Sequence, residues 1–255
     1  MIEGDVDYGM HGEGYATQRR TDPRIARYIT EALGGAKTVL NVGAGAGSYE
    51  PADRCVVAVE PSAAMRRQRH AAAVPAIDAS AEHLPFDDAS FDAAMATVTV
   101  HQWSDIDQGL RELRRVARGP VIVLTFDGDA LDRFWLRDYV LELTSVERAR
   151  LPAIDRIVAA LGGSGRITEV IAIPIPIDCV DGFADAFYAR PEAFLDEAVR
   201  RSQSAWTFLP AGIEQRFVET LADDLRSGTW DREYGEWRTR PSFEGALRLI
   251  VSRPA

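Results

Sequence analysis

Residues Thr38 to Ser48, TVLNVGAGAGS, are the strongest structural signal in this chain. A buried apolar strand runs into a turn where Gly43, Gly45 and Gly47 alternate with alanines, so a ligand can approach the backbone without meeting a Cβ. Ligands of open α/β sheets bind beyond the carboxyl ends of the strands, which is where this turn lies. The stretch therefore predicts a ligand site at the turn; the alternative is a tight strand-to-helix turn without a ligand.

The spacing of the glycines distinguishes two classes of cofactor. A dinucleotide fingerprint requires G-x-G-x-x-G, but counting from Gly43 and Gly45 the third position is Ser48, and the glycine is displaced to Gly47. This spacing argues against NAD. The next predicted strand ends at Glu60, whose carboxylate can accept from both hydroxyls of a ribose, although taken alone it would be a solvated surface acid.

Short apolar runs alternate with amphipathic stretches from Lys37 onward, which predicts an α/β fold with a parallel sheet covered by helices. The predicted strands are 37–42, 55–59, 74–77, 91–97, 121–126, 167–173 and 246–251. The predicted helices are 25–33, 63–70, one that is capped by Ser104 or Asp105 and reaches Ala117, and 146–161.

The long segment 178–244, between the last two predicted strands, is rich in aromatic residues. A connection this long inside a compact domain is usually functional, so we expect it to form a cap over the site. The predicted organisation is a lid and first helix at 1–36, a Rossmann-like core at 37–177, a substrate cap inserted at 178–244 and a final core strand at 245–255. The aromatic residues of the cap either line an apolar pocket or form the cap's own core.

The composition excludes several classes of function. A formal net charge of -10 argues against a protein that binds nucleic acid or an anionic membrane, because both need a surplus of Lys and Arg. The two cysteines, Cys55 and Cys179, lack metal-type spacing, so we expect neither a metal site nor a disulfide framework. Since no apolar run is long enough to span a bilayer, we expect a cytoplasmic protein that acts on a small molecule.

Four sequence blocks together resemble one family. They are VLNVGAGAGSY (39–49), VVAVEPSAAM (56–65), ASAEHLPFDDASFDAAMATVTVHQW (79–103) and LRELRRVARGPVIVLTFD (110–127). In this order and spacing, the region from Tyr15 to Asp127 resembles the class I S-adenosylmethionine-dependent methyltransferases, of the group that includes the methyltransferases of ubiquinone and menaquinone biosynthesis. The resemblance implies a Rossmann-like sheet of seven strands, mostly parallel with the last strand antiparallel, helices on both faces, and methyl transfer from S-adenosyl-L-methionine (SAM) to a small-molecule acceptor.

The resemblance also implies a cofactor site. Carried over by position, the residues implied to contact SAM are Tyr15, Arg20, Asn41, Gly43, Ala44, Gly45, Gly47, Glu60, Pro61, Met65, Ser80, Ala81, Glu82 and Thr97. Glu60 is implied to hold the ribose hydroxyls, and Met65 to pack on the adenine. The chain departs from the family's pattern at two positions. Asn41 stands where an acidic residue is common. Ser80 stands where an aspartate usually accepts from the adenine amino group, so adenine recognition is expected to depend on the backbone at Ala81.

An arginine ahead of the first helix is implied to reach the carboxylate of the cofactor's methionine portion, since a guanidinium can pair with a carboxylate through two hydrogen bonds. Counting back from Pro23 favours Arg20, whereas counting forward from Tyr15 favours Arg19. The alternative is a basic surface segment without a ligand.

Three residues are predicted on the acceptor side of the site. His101 follows the fourth strand at the carboxyl edge of the sheet and is the candidate general base, with a loop histidine bonded to backbone as the alternative. Trp103 is expected to wall the acceptor or, equally, to pack in the core, and His11 is a further acceptor-side candidate. The aromatic cap favours an aromatic or polyketide-like acceptor. The atom methylated and the oligomeric state are left open.

Two other functions compete with this interpretation. A nicotinamide-dependent dehydrogenase would need a differently spaced third glycine. A non-catalytic regulator would bind SAM or its demethylated product without turnover.

Overall fold

The structure is a computed structural model that describes residues 18–255, and its centre is a seven-stranded sheet. The strands are β1 (Thr38–Val42), β2 (Cys55–Val59), β3 (Ala76–Ile77), β4 (Ala93–Thr97), β5 (Val121–Phe126), β6 (Arg166–Ala172), β7 (Ile175–Pro176), β8 (Ser242–Phe243) and β9 (Leu247–Pro254). The sheet has the order β3-β2-β1-β4-β5-β9-β6, and β7 pairs with β8 in a separate ribbon. The strands β1 to β5 are parallel, and β9 runs antiparallel to both of its neighbours. The predicted fold class is confirmed.

The order of the strands fixes where a ligand can bind. The chain moves outward from β1 through β2 to β3 and then returns to β4, on the other side of β1. The loops after β1 and β4 therefore leave the sheet side by side at its carboxyl edge. This is the switch point at which ligand sites of α/β folds form.

Helices cover both faces of the sheet. They are α1 (Pro23–Leu33), α2 (Ala63–Arg67), α3 (Ile106–Val116), α4 (Leu136–Tyr139), α5 (Leu141–Arg150), α6 (Ile154–Leu161), α7 (Glu197–Arg201), α8 (Ile213–Ser227) and α9 (Thr229–Tyr234). Side-chain caps fix four of the starts: Asp22 accepts from the Arg24 N–H ahead of α1 and Asp105 from the Gln108 N–H ahead of α3, and Ser62 and Asp196 cap α2 and α7 in the same way. Across residues 18–255, no helix combines the length and the apolar character needed to cross a membrane.

The prediction of a single helix at 146–161 is wrong, because the structure has two helices, α5 and α6, on either side of Pro152. Leu151 is extended, with φ −75° and ψ 128°. Proline disfavours the helical conformation in the residue before it and has no N–H with which to continue the helix. The helix predicted at 63–70 also ends early, at Arg67.

Alternate residues of each central strand pack into two different cores. In β5, Ile122 and Leu124 face the core that α1 covers, whereas Val121 and Val123 face the core built with α3 and α6. Burial of both faces explains why these strands read as continuous apolar runs in the sequence.

The cap is continuous with the first of these cores. Trp135 lies 5.4 Å from Trp230 and 5.8 Å from Phe194, measured between ring centroids. Trp135 belongs to the segment after β5, so the cap draws on residues outside the predicted range 178–244. Most aromatic residues of that range pack in this core, whereas Phe183 also lines a cavity.

Candidate functional site

The turn after β1 has a backbone conformation that residues other than glycine rarely adopt. Gly43, Gly45 and Gly47 have φ of 66°, 51° and 100°. A Cβ on Gly43 would lie 2.1 Å from Thr99 Oγ1, so the loop after β4 requires this glycine. A Cβ on Gly45 would meet only the methyl group of Met65, at 3.4 Å. The main chain at Gly45 therefore faces open space.

A cavity of about 520 Å³, which we call the cofactor cavity, lies over this turn. Its lining residues are Arg19, Gly43, Ala44, Gly45, Ala46, Ser48, Tyr49, Glu60, Met65, Thr97, Val98, Thr99 and Gln102. Those among them that the sequence analysis named for SAM are Gly43, Ala44, Gly45, Glu60, Met65 and Thr97. The structure brings these together from the carboxyl ends of β1, β2 and β4.

Glu60 is the buried acid of the cofactor cavity. Its Oε2 accepts from the Gly45 N–H and its Oε1 from the Ser62 N–H, both at 2.8 Å. A carboxylate has about four lone-pair sites, so each oxygen can still accept a hydrogen bond from a ligand hydroxyl. Glu60 can therefore fix the turn and bind a ribose at the same time.

Asn41 lies beneath the turn and is not among the residues that line the cofactor cavity, so its contact with SAM stays a prediction. Its Nδ2 donates to Glu50 Oε1 at 3.0 Å, and Arg69 Nη2 donates to both Glu50 oxygens, at 2.7 and 2.8 Å. Arg69 Nη1 also donates to the Gly45 carbonyl, at 3.1 Å. An amide fits at position 41 because an aspartate there would repel Glu50, which supplies the acidic charge under the turn.

Arg19, and not Arg20, lies at the cofactor cavity. The Arg19 side chain is 10% exposed and its Nε donates to Asp181 Oδ1 at 2.8 Å, whereas Arg20 is exposed and outside the lining. Asp181 Oδ2 also accepts from the Tyr49 hydroxyl, at 2.8 Å. Burial and the charge of Asp181 raise the pKa of Tyr49 far above its usual range. Asp181 holds the Arg19 side chain at the cofactor cavity, so Arg19 is the one of the two arginines that lines it, and the contact of either arginine with SAM stays a prediction.

A second cavity of about 650 Å³, which we call the acceptor cavity, adjoins the first. Its lining residues are Arg19, Val98, His101, Gln102, Phe126, Leu131, Glu147, Leu151, Phe183, Ala184, Asp185, Ser202, Gln203 and Ser204. Arg19, Val98 and Gln102 line both cavities, so the two meet after β4. Val98 has φ of 53°, which is strained for a β-branched residue and is typical of functional sites.

The two acceptor-side predictions after β4 have different outcomes. His101 lines the acceptor cavity, within the 3-10 turn Val100–Gln102. Trp103 does not, because its indole packs on α3, where a Cβ on Gly109 would lie 2.4 Å from the ring. The prediction that Trp103 walls the acceptor is therefore wrong, and its alternative, core packing, is what the structure has.

The Glu82 carboxylate forms hydrogen bonds at the start of α3, and its contact with SAM stays a prediction. Glu82 Oε1 accepts from Ser104 Oγ at 3.0 Å and from the Asp105 N–H at 3.2 Å. Burial acts to raise the pKa of Glu82, but these hydrogen bonds outweigh it, and the pKa is lowered. Glu82 lies outside the lining of the cofactor cavity.

The remaining predicted residues do not line the cofactor cavity as the structure describes it. They are Gly47, which belongs to the turn, the exposed Pro61, and Ser80 and Ala81. His11 and Tyr15 lie outside the described residues.

Asp185 is a candidate that the sequence analysis missed. It lines the acceptor cavity, is 4% exposed, and accepts from the Ala246 N–H at 2.7 Å through Oδ2. Burial raises the pKa of this carboxyl to about 6, although the Ala246 N–H and the charge of Arg248 act to lower it. No local sequence pattern could have identified it, because its neighbours come from the other end of the chain.

The two cavities can hold two ligands end to end, one against bare main chain and one beneath the cap. The side chains of Phe126, Phe183 and Leu151 give this cavity an apolar wall, and His101 also lines it. Such an arrangement suits the direct transfer of a group between two bound molecules.

Comparisons with known sequences agree with the transfer of a group between two bound molecules. The profile of a family described as a methyltransferase domain matches residues 40–123. Curated relatives include two ubiquinone/menaquinone biosynthesis C-methyltransferases. The one from Geobacter sp. (strain M21) is 30% identical over 44% of this chain and 56% of the relative. The one from Rubrivivax gelatinosus is 32% identical over 48% of this chain and 47% of the relative. The chain thus spans about half the length of the curated relatives that it matches.

Solved structures extend the likeness to nearly the whole chain. A crystal structure described as a methyltransferase from an antibiotic biosynthesis pathway of Anabaena variabilis is 30% identical, with a TM-score of 0.86 over 92% of this chain and 99% of that one. Geranyl diphosphate C-methyltransferase from Streptomyces coelicolor, solved with S-adenosyl-L-homocysteine, has the same fold. It is 15% identical, with a TM-score of 0.51 over 91% of this chain and 78% of that one. On its fold, its glycine turn and this full-length relative, the chain belongs to the class I S-adenosylmethionine-dependent methyltransferases.

Proposed function

We propose that this protein transfers a methyl group from SAM to a small-molecule acceptor. The observation that carries the proposal is the meeting of two cavities at Arg19, Val98 and Gln102, one over the glycine turn and one under the cap. A donor in the first and an acceptor in the second would lie end to end, as an in-line transfer requires. The methyltransferase relatives support the same reaction.

The residues of the cofactor cavity fit SAM. Gly45 leaves main chain bare where a side chain would fill the space, and the Glu60 carboxylate can accept from ribose hydroxyls. Met65 would pack on the adenine, and Arg19 would meet the carboxylate of the methionine portion. Bound SAM supplies a methyl group on a sulfonium, whose thioether is already a good leaving group.

The side chains of the protein therefore need to align the acceptor, exclude water and, for a nucleophile that loses a proton, accept that proton. His101 is the proposed base because it lines the acceptor cavity next to Gln102, where the cavities meet. Tyr49 does not compete for this role, since its raised pKa keeps it protonated.

The acceptor is proposed to have an apolar body, aromatic or polyketide-like. Phe126, Leu131, Leu151 and Phe183 line one side of the acceptor cavity and would pack against such a body. The relative from an antibiotic biosynthesis pathway, similar over nearly its whole length, supports a natural-product acceptor.

Calorimetric titration with SAM, S-adenosyl-L-homocysteine and NAD tests the cofactor. SAM and its demethylated product should bind and NAD should not; the opposite result would favour the dehydrogenase. Turnover is then measured by mass spectrometry of a natural-product library incubated with SAM. Binding without any methylated product would favour the non-catalytic regulator.

A pair of histidine variants tests the proposed base. His101→Ala should slow methyl transfer with little change in SAM affinity, because His101 lies in the acceptor cavity. His83→Ala removes an exposed histidine and is the matched control. A loss of SAM affinity with normal turnover in His101→Ala would assign His101 to cofactor binding instead.

A further inference from the structure

Asp185 is a buried carboxylate on the wall of the acceptor cavity that methyl transfer, as proposed above, does not use. Its Oδ2 accepts from the Ala246 N–H, and among residues 18–255 no hydrogen-bond donor reaches Oδ1. Oδ1 is not enclosed by protein atoms and Asp185 lines the cavity, so this charged oxygen is available to a hydrogen-bond donor of a ligand.

The other charges near this wall have ion-pair partners. The pairs are Arg19 with Asp181 at 2.8 Å, Arg150 with Glu147 at 3.6 Å, and Arg248 with Asp127 at 3.3 Å. Within the described part of the chain, no cation lies within 4.0 Å of Asp185. The cavity therefore has one negative charge that the protein does not neutralise.

Gln203 is a second polar residue that lines the same cavity. The side chain is 7% exposed, and its Oε1 accepts from Trp206 Nε1 at 3.1 Å. Its Nε2 is buried and has no hydrogen-bond partner in the described residues. The wall thus presents the Asp185 carboxylate to the cavity, whereas Gln203 Nε2 is enclosed by protein atoms.

Asp185 lies far from the point of methyl transfer. The cavities meet after β4, whereas Ala246, which holds Asp185, precedes β9, two strands away in the sheet. Neighbouring strands are about 4.8 Å apart, which gives a separation of roughly 10 Å. This distance is too long for proton transfer at the methylated atom, but it fits the opposite end of an aromatic acceptor.

We propose that Asp185 determines acceptor specificity by binding a hydrogen-bond donor, a hydroxyl or an ammonium group, at the end of the acceptor remote from the methyl group. This inference rests on the proposed function. It also predicts that the cavity rejects acceptors with an anionic end, because a second negative charge would meet an unpaired carboxylate.

Protonation of Asp185 should control this preference. Its pKa of about 6 follows from burial, and the charged or titratable groups that face it are Arg248 from β9 and, across the cavity, Arg19, His101 and Glu147. Below this pKa the carboxyl becomes neutral, so discrimination against anions should weaken as the pH falls.

Three probes with one bicyclic body test the proposal: naphthalenemethanol, naphthylmethylamine and naphthoic acid. Each is titrated by NMR into protein saturated with S-adenosyl-L-homocysteine, well above and well below the pKa of about 6. The alcohol or the amine should bind at least about ten-fold more tightly than the acid at the higher pH. A preference for the amine identifies an ammonium ligand, and equal binding of amine and alcohol identifies a hydroxyl.

Asp185→Asn should abolish this ranking without changing the affinity for S-adenosyl-L-homocysteine. Asp87→Asn removes an exposed carboxylate and controls for net charge. Equal binding of all three probes to the wild type, or an unchanged ranking in Asp185→Asn, would overturn the role of Asp185. Failure of S-adenosyl-L-homocysteine to bind the wild type would instead refute the proposed function.

Discussion

The two cavities are built from different parts of the polypeptide. The cofactor cavity has one wall of main chain, at a turn where Gly43 and Gly45 have positive φ and Glu60 is held by backbone N–H groups. The acceptor cavity is walled by side chains such as Phe183 and Asp185, which come from the cap and from loops after β4 and β5.

This difference decides how each cavity can change. A wall of main chain accepts few substitutions, because any Cβ alters the space that the ligand fills. A wall of side chains can be altered one residue at a time while the fold is kept. Acceptor specificity can therefore diverge between relatives that keep the same cofactor.

The largest expected effect comes from Asp181, whose carboxylate accepts from Arg19, a residue that lines both cavities. Asp181→Ala removes one ion-pair partner of Arg19 and the acceptor of the Tyr49 hydroxyl, and Asp181 is only 2% exposed. Breaking a buried pair in this way should lower the free energy of unfolding by about 3–5 kcal/mol, measured by urea denaturation.

Asp223→Ala is the control for Asp181→Ala, because its pair with Arg226 is exposed. It should change the free energy of unfolding by no more than about 0.5 kcal/mol. A loss below about 1 kcal/mol in Asp181→Ala would mean that the two regions are structurally independent.

Gly45→Val tests the main-chain wall. A branched side chain would occupy the ligand's space, so affinity for S-adenosyl-L-homocysteine should fall by at least about 100-fold, or about 2.7 kcal/mol. Gly212→Val is the matched control, since Gly212 has φ of 84° with no atom within 4 Å of an added Cβ. Both variants carry a similar backbone penalty. Normal affinity in a folded Gly45→Val protein would show that the ligand lies elsewhere.

Asp185→Asn tests the side-chain wall through stability. The pKa of Asp185 is raised from 3.8 to about 6, so its carboxylate favours the unfolded chain increasingly as the pH rises through that range. The asparagine variant should therefore be more stable than the wild type by roughly 1–3 kcal/mol above pH 7 or so, with little difference near the unfolded pKa. Urea denaturation across this pH range measures the difference. A gain that does not depend on pH would contradict the ionised, buried state of Asp185.

The smallest effect is expected at Arg20. Arg20→Lys should leave the affinity for S-adenosyl-L-homocysteine within about two-fold, because Arg20 is exposed and outside the cofactor cavity. Arg19→Lys keeps the charge but loses the planar fork of the guanidinium, and should weaken binding by about ten-fold. Equal losses in both variants would place the ligand's carboxylate between the two arginines.

Local features of the sequence predict the fold and the main-chain wall. The turn after β1 needs positive φ at Gly43 and Gly45, a conformation that glycine adopts readily, so these residues are visible in the sequence. Asp22 and Pro23 start α1 through contacts within one helical turn. Glu60 can be predicted as a ligand-site residue from the sequence because it directly follows the next strand, β2. Pro152 is a local signal for the break between α5 and α6, because proline cannot continue a helix.

The side-chain wall depends on contacts between distant parts of the chain. The choice between Arg19 and Arg20 is made by Asp181, 162 residues away, and Asp185 is positioned by Ala246, 61 residues away. Trp103 packs on α3 because Gly109 leaves a groove for the indole, which only the folded arrangement reveals. Spacing along the sequence contains no information about such pairs.

One carboxylate, that of Asp181, bonds the segment before α1 and the loop after β1 to the cap. Whichever ligand enters first will restrict the motion of all three segments, so the second ligand loses less conformational entropy when it binds. SAM and the acceptor should consequently strengthen each other's binding by the same factor, an example of positive heterotropic cooperativity.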